Sequence, residues 1–415
     1  MDNIEIMIKN IIIVNDFAYI NGGAAKVAIM SAIGLSQKGF RVIFFTSVGP
    51  ICKELEQSEI EVVCTHQHDI FSDPNRLRAI RQGLWNNKSK KKLQQIIEGL
   101  SPTETVIHIH GWIKALSVSI FDTIKRSNIP VFYTLHDFFL CCPNGGLYDY
   151  KRQQICHRKP MGLSCMTCNC DVRNYSQKIY RVIRQCICKY TMRKIRSNIY
   201  YISISDTTER IFKREYGNHF KIIRINNPID SPLSVVFEEN ARDSYLFMAR
   251  LSSEKGLDLF CEAITQLGLK GIVLGTGELY ETYKEKYPNI EFAGWVRGEQ
   301  KIPYLKQSKC LIFPSKWYEG APLTTIEIMT YGIPCITSNE CAASELIKEG
   351  INGFIFQTGK LESLKNAILK MEKSNLLSRR KQIQSSIDMN LFGEERHIEK
   401  LISAYETANS ASRKT

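Results

Sequence analysis

The sequence predicts an α/β protein made of two doubly wound parallel-sheet domains that face each other across a cleft. Three observations predict it. Short β-branched runs alternate with helical stretches along most of the chain. A break rich in Asn and Pro interrupts that alternation near the middle. Finally, 415 residues exceed what one ordinary core supports.

The first series opens at residues 11–14, Ile-Ile-Ile-Val, a run of the kind buried in a parallel sheet. Asn21-Gly22-Gly23 follows as a loop, then a helix over 24–38 that stops at Gly39, then a strand over 41–46. Residues 106–110, 130–135 and 200–205 are the next strands, and the last opens into a helix over 206–216. Asn226-Asn227-Pro228-Ile229-Asp230 marks the boundary. A second series follows, with strands expected over 245–248, 271–275, 310–313 and 333–337. The expected domains are 1–225 and 230–385. The first carries a Cys-rich insertion over about 141–170 and receives a C-terminal helix over 390–410. The tail beyond Ser374 reads as polar and helical, ending in a loose, disordered Ser/Arg/Lys stretch.

Bulk composition narrows the function classes. At 44% hydrophobic and 23% charged residues the chain is globular rather than disordered. Its apolar run near the N-terminus is too short for a signal peptide or a membrane span, which predicts a cytoplasmic protein. There, 14 cysteines read as reduced thiols or metal ligands rather than disulfides. A formal charge of +13 calls for an anionic partner: nucleic acid, anionic lipid or a phosphorylated substrate.

Several residues stand where chemistry is expected. Gly22 and Gly23 let backbone amides approach a phosphate at a helix N-terminus, although an ordinary βα turn has the same composition. Arg250 and Lys255, on the loop after one strand, offer two cations that neutralise a diphosphate leaving group without a metal. Glu319 and Glu327 flank Gly320-Ala321-Pro322-Leu323. Pro322 suits the first turn of a helix, which leaves amides near residues 321–324 free to point into the cleft. Each carboxylate is a bidentate acceptor for vicinal hydroxyls, one for a sugar and the other for a ribose. Any one of these features alone reads as solvated surface.

Taken in order, with Gly275-Thr276-Gly277 and the segment 292–296 between them, they resemble the retaining GT-B glycosyltransferases of family four. The family's Arg-x4-Lys and Glu-x7-Glu hallmarks are both present, and Gly22-Gly23, His136-Asp137, Ser205 and the Asn-Pro-x-Asp linker fall where it has counterparts. The resemblance implies two Rossmann-like domains and transfer of a sugar from a UDP- or GDP-sugar to a glycan acceptor. It further implies that Arg250 and Lys255 bind the diphosphate, with Gly22 and Gly23 reaching the same phosphates. Glu319, with the amides of Gly320, Ala321 and Leu323, would hold the sugar, and Glu327 the ribose. His136 would reach the reacting centre as a positioning group, since many members let the leaving phosphate help deprotonate the acceptor. No Asp-x-Asp signature stands at a strand end, so no cofactor is expected for catalysis. One departure is Gly-Ala-Pro-Leu after Glu319, where many members have Phe, Gly and Leu; it touches sugar specificity. His66, His68, His108 and His110 read as structural.

Two segments remain. Cys165 and Cys168 have the spacing of a zinc knuckle, and Cys142 and Cys156 complete a tetrahedral set; a subset of the family carries similar cysteines. A structural zinc is therefore expected, with partly buried reduced thiols as the alternative. Next, Arg173, Lys178, Arg181, Arg184, Lys189, Arg193, Lys194 and Arg196 alternate with Tyr175, Tyr180, Ile183, Ile187 and Tyr190. This spacing predicts an amphipathic helix with a cationic face. Such a face fits peripheral attachment to an anionic inner membrane surface bearing a lipid-linked glycan, each cation adding about 1 kcal/mol. A solvated helix face is the plainer reading. A rival from another class is a non-enzymatic, basic, zinc-containing nucleic-acid-binding protein. No recognition fold frames the basic residues and the Glu pair would repel phosphates, so no nucleic-acid partner is expected. The leading expectation is a glycosyltransferase of surface polysaccharide assembly.

Overall fold

The computed structural model describes residues 8–412 apart from 197, 219, 231–234, 236–241 and 322. In chain order the first half carries β1 (Asn10–Val14), β2 (Arg41–Thr46), β3 (Glu61–Cys64), β4 (Thr105–Ile109) and β5 (Val131–Thr134). A short antiparallel pair follows, β6 (Tyr148–Asp149) and β7 (Gln154–Ile155), then β8 (Tyr200–Ser203) and β9 (Lys221–Arg224). The second half carries β10 (Ser244–Met248), β11 (Lys270–Leu274), β12 (Ile290–Gly294), β13 (Ser308–Phe313), β14 (Cys335–Ser338) and β15 (Gly353–Phe356).

These strands form two parallel sheets, ordered β3-β2-β1-β4-β5-β8-β9 and β12-β11-β10-β13-β14-β15. Each sheet reverses its winding once, between β1 and β4 in the first and between β10 and β13 in the second. Loops leaving the carboxyl ends of strands at such a switch point leave a crevice for ligands.

Side-chain alternation explains why both faces of each sheet need covering. Along β1, Ile12 and Val14 join Ile107, Ile109 and Tyr133 in one core, while Ile11 and Ile13 join Phe44, Val106 and Phe132 in another. The second sheet repeats this, with Tyr245, Phe247, Val273 and Ile312 on one face and Leu246, Ile272, Leu274 and Leu311 on the other. The helix Glu394–Ser412 brings Ile398, Leu401, Ala404 and Tyr405 back to the face of the first sheet that holds Ile11 and Ile13.

Two doubly wound domains are what the alternation predicts. The first helix begins at Gly23 rather than at 24, with Gly22 as its cap. β3, β9, β12, β15 and the short β6–β7 pair were not anticipated; β3 and β9 are short edge strands with only partial burial, so they lack a continuous apolar run. The expected disordered tail is corrected in part, because the last helix continues through Ser412; residues 413–415 lie outside the described set.

Candidate active site

The second sheet supplies the charged half of the cleft. After β10 the chain passes Arg250 and makes a tight turn at Ser253–Lys255, ended by Gly256 at φ 76°. A Cβ there would stand 2.0 Å from the carbonyl oxygen of Pro314, so only glycine lets this turn close on the end of β13. That approach sets the Lys255 ammonium against the Glu319 carboxylate as an ion pair. Glu319 also accepts from Ser315 Oγ at 2.9 Å and Trp317 Nε1 at 2.8 Å, and Lys255 lies over the Trp317 ring at 5.1 Å. Burial by itself would raise the Glu319 pKa; the Lys255 charge and the hydrogen bonds from Lys255, Trp317 and Ser315 outweigh it, and the carboxyl is held below its usual value. Arg250 reaches out from the same turn, 64% exposed at its side chain, and donates to the buried Glu254 at 2.6 Å. Gly277 packs its backbone onto that of Leu251, where a Cβ would meet the carbonyl oxygen at 2.3 Å, and so the Gly275-Thr276-Gly277 turn braces the Arg250 loop.

The helix Leu323–Thr330 follows Glu319, with Glu327 in its second turn. Lys301 Nζ meets Glu327 Oε1 at 2.6 Å, and both side chains are half-buried. Pro322 lies outside the described residues. At one of the amides expected here, Leu323 N–H donates to the Ala321 carbonyl at 3.0 Å. Gly320 abuts the first domain, since a Cβ would lie 3.3 Å from Ile204 Cδ1 and 3.6 Å from the His136 carbonyl oxygen.

Across the cleft, the helix Gly23–Gln37 begins without a side-chain cap on Gly22 and without an acidic residue in its first turn. Its leading amides and positive dipole end are therefore uncompensated. A Cβ on Gly23 would lie 3.9 Å from Leu323 Cδ1, which places this helix start opposite the Glu319 loop. Two further ties hold the domains in register. The Glu345 carboxylate accepts from the amides of Asp206 and Thr207 at 3.0 and 2.6 Å, beside the cap that Ser205 Oγ gives Thr208 at 3.0 Å. Lys26 pairs with Asp230.

His136 stands at the end of β5 and carries a partner that the sequence reading left out. Its Nε2 lies 3.0 Å from His110 Nδ1, with the ring centroids 5.2 Å apart and the ring planes inclined by 27°. His108 packs on His110 at 4.1 Å and is itself fixed by Tyr405 Oη at 2.6 Å and Thr134 Oγ1 at 2.7 Å. A detectable signal existed: His108 and His110 alternate onto one face of an otherwise apolar parallel strand. Beside them, burial raises Asp137 to about 6 against the opposing amide of Phe139 and charge of Lys114. Asp16 was also missed. Its carboxylate accepts from the amides of Lys114, Ala115 and Leu116 at 2.9 Å each and joins the loops after β1 and β4.

The structure does not gather Cys142, Cys156, Cys165 and Cys168 into one ligand set. Among the described residues no three His, Cys, Asp or Glu side chains are placed to hold a metal ion. Cys165 faces the fully buried ammonium of Lys178 at 3.7 Å, Cys156 faces Arg158 at 3.6 Å, and Cys168 faces Asp149 at 3.7 Å. Cys142 is a buried thiol whose pKa burial raises. The loop instead packs on the second domain: a Cβ on Gly146 would meet the Trp317 ring at 2.8 Å, and Lys316 donates to Gln153 at 3.2 Å.

The basic run forms the helix Tyr175–Met192, but its cationic face points inward. Lys178 and Arg184 are buried, Arg184 lying over the rings of Phe139 and Tyr180, and Arg181 pairs with Asp171 at 2.7 Å. Tyr175, Ile179, Ile183 and Tyr190 are exposed instead. No described helix is long and apolar enough to cross a membrane.

Comparison with known proteins agrees with this fold. The sequence matches the Glycosyltransferase Family 4 profile over residues 21–231 and the Glycosyl transferases group 1 profile over 236–388. A UDP-Gal:alpha-D-GlcNAc-diphosphoundecaprenol alpha-1,3-galactosyltransferase of Escherichia coli is 28% identical over 153 residues, 33% of this chain and 39% of that protein. The lipopolysaccharide 1,6-galactosyltransferase of Escherichia coli K12 is 25% identical over 180 residues, 40% of this chain and 50% of that one. The matches thus span half or less of either relative. Anabaena HepE, solved in complex with UDP and glucose, superimposes with a TM-score of 0.65 at 14% identity, over 96% of this chain and all of that one. With both halves matched and the two sheets arranged as described, the chain belongs to the family 4, group 1 glycosyltransferases and has the GT-B fold.

Proposed function

We propose that the protein transfers a hexose from a UDP-sugar to a lipid-linked glycan with retention of configuration, in assembly of a surface polysaccharide. The observation that carries this reading is the Lys255–Glu319 pair beside Arg250, facing the uncapped start of the helix Gly23–Gln37. Two cations and a helix dipole meet where a diphosphate would lie, which suits departure of a nucleoside diphosphate. Glu319 is kept ionised and oriented by three donors, as a carboxylate must be to hold vicinal sugar hydroxyls. Glu327, paired with Lys301 further along the cleft, is the ribose acceptor. His136 positions the sugar, and the leaving phosphate takes the acceptor proton. No metal enters this scheme, because the two cations already supply the charge that departure needs.

The galactosyl and diphosphoundecaprenol chemistry in the first relative's name, and the UDP in the HepE complex, support the donor and acceptor classes. A membrane-bound acceptor also suits the exposed Tyr175, Ile179, Ile183 and Tyr190 face, flanked by exposed Arg173, Arg193 and Lys194. Thermal stabilisation by UDP, GDP, CMP and ADP tests the donor reading. A ligand at 100 times its Kd adds about 2.7 kcal/mol. UDP is expected to stabilise the wild type and to lose most of that effect in Glu327→Ala. Silence from all four nucleotides would remove the donor site from this cleft.

A further inference from the structure

We infer that His110 is a positioning residue that holds His136 as its Nδ1–H tautomer, so that His136 offers the donor sugar a hydrogen-bond donor and not a base. This rests on the nucleotide-sugar reading of the cleft, but the structural part stands apart from it. His110 is buried and its Nδ1 faces His136 Nε2 at 3.0 Å, so one of the two nitrogens carries the shared proton. The choice is decided at the far side of the His110 ring. Its Nε2 is buried with no hydrogen-bond partner. The neighbouring His108 has both nitrogens engaged, by Tyr405 and by Thr134.

Were the proton on His136 Nε2, His110 would accept at Nδ1 and carry its own hydrogen on Nε2, stranded in the core. A buried orphan N–H is rarer than an unfilled lone pair. The favoured arrangement puts the hydrogen on His110 Nδ1, which donates to His136 Nε2. His136 then carries its hydrogen on Nδ1, the nitrogen that no described residue hydrogen-bonds. The doubly protonated ring is disfavoured, since burial pulls His136 down to about 3. His136 borders the Glu319 loop through its carbonyl, 3.6 Å from where a Gly320 Cβ would stand. On the nucleotide-sugar reading of that cleft, a sugar oxygen is the partner its free N–H fits.

The test is the tautomer itself, read from the ring carbon and nitrogen shifts of histidine-labelled protein, with the His136 signal assigned by its loss in His136→Gln. The wild type is expected to show the Nδ1–H form at pH 8. His110→Asn places an amide donor where Nδ1 stood and should keep that tautomer; His110→Leu should give a mixture. On UDP-galactose hydrolysis, His110→Leu should lower kcat by about tenfold or more with little change in KM, and His110→Asn should recover most of it. An Nε2–H signal in the wild type overturns the inference, as does unchanged kcat and tautomer in His110→Leu. If His110→Leu fails to fold, the wild-type and His110→Asn spectra still decide. UDP binding is scored separately, so a cleft that binds no UDP sinks the donor reading and leaves the tautomer result legible.

Discussion

Glu319 shows how one residue combines stability with chemistry. Its side chain is 12% exposed, and the Lys255 charge does most to offset the burial that would otherwise raise its pKa. Lys255→Ala strands that carboxylate and is expected to cost about 3 kcal/mol, most of which the double variant with Glu319→Gln should restore. On the proposed roles of the pair, turnover should stay lost in both; chemical denaturation alongside donor hydrolysis separates the two effects. A larger penalty in the double variant than in Lys255→Ala would show that the pair is not coupled. The histidines give a pH signature. Burial holds His108 and His110 well below the ordinary imidazole value, His136 at about 3 and His397 at about 4. The unfolded chain takes up these protons near pH 6.5 while the folded chain does not, so their contribution is complete above 6.5 and declines as pH falls. Each removes at most about 1.4 kcal/mol per pH unit. Asp137 works the other way: its carboxyl, raised to about 6, favours the folded state as pH drops through that value. His110→Asn should therefore lose less stability than the wild type between pH 7.5 and 5.5, by about 1 kcal/mol; equal loss would mean His110 is not a neutral buried group. Arg250, Lys255, Glu319 and Glu327 stood out in the sequence because short spacings next to Gly and Pro turns mark them, and the structure joins two of them, Lys255 and Glu319, as an ion pair. His110 was not, because its role arises only when β4 is laid beside β5.

At the scale of the element, the helix Tyr175–Met192 shows where periodicity misleads. Charged and apolar residues both recur at helical spacing, and the sequence does not say which stripe meets the protein. The fold decides it. Helix Arg76–Leu84 packs so tightly against this helix that a Cβ on Gly83 would stand 2.1 Å from Tyr180 Oη. Phe139 and Tyr180 then offer Arg184 two ring faces, and Asp171 offers Arg181 a buried carboxylate, which repays their loss of water. The outward stripe is left apolar, and Leu77 and Ile80 on the neighbouring helix are exposed as well. If this surface meets the bilayer, Ile179→Glu, Ile183→Glu and Tyr190→Glu together should abolish sedimentation with phosphatidylglycerol vesicles while changing stability by less than about 0.5 kcal/mol per site. Retained sedimentation would remove this face from consideration. Charge reversal at Arg184 is a poor probe, since it would bury an unpaired carboxylate.

For the whole molecule, the alternation of strand and helix made both domains visible, because a sheet covered on both faces must write continuous apolar strands into the sequence. What it could not show was which domain each late helix completes. The helix Glu394–Ser412 begins 380 residues after β1 ends at Val14, yet Leu401 and Tyr405 are fully buried on the first sheet, and Tyr405 fixes the His108 ring. The first domain is therefore finished only when the chain has passed through the second. Leu401→Ala should cost about 2–5 kcal/mol, and the loss should fall on one side of the cleft. Hydrogen exchange is expected to accelerate in β1, β2, β4 and β5 while β10, β11 and β13 keep their protection, because the cavity opens in a core that the second sheet does not share. Equal acceleration in both sheets would mean that the two domains unfold as one unit, and the cleft would then be a rigid groove rather than a joint between separately stable bodies.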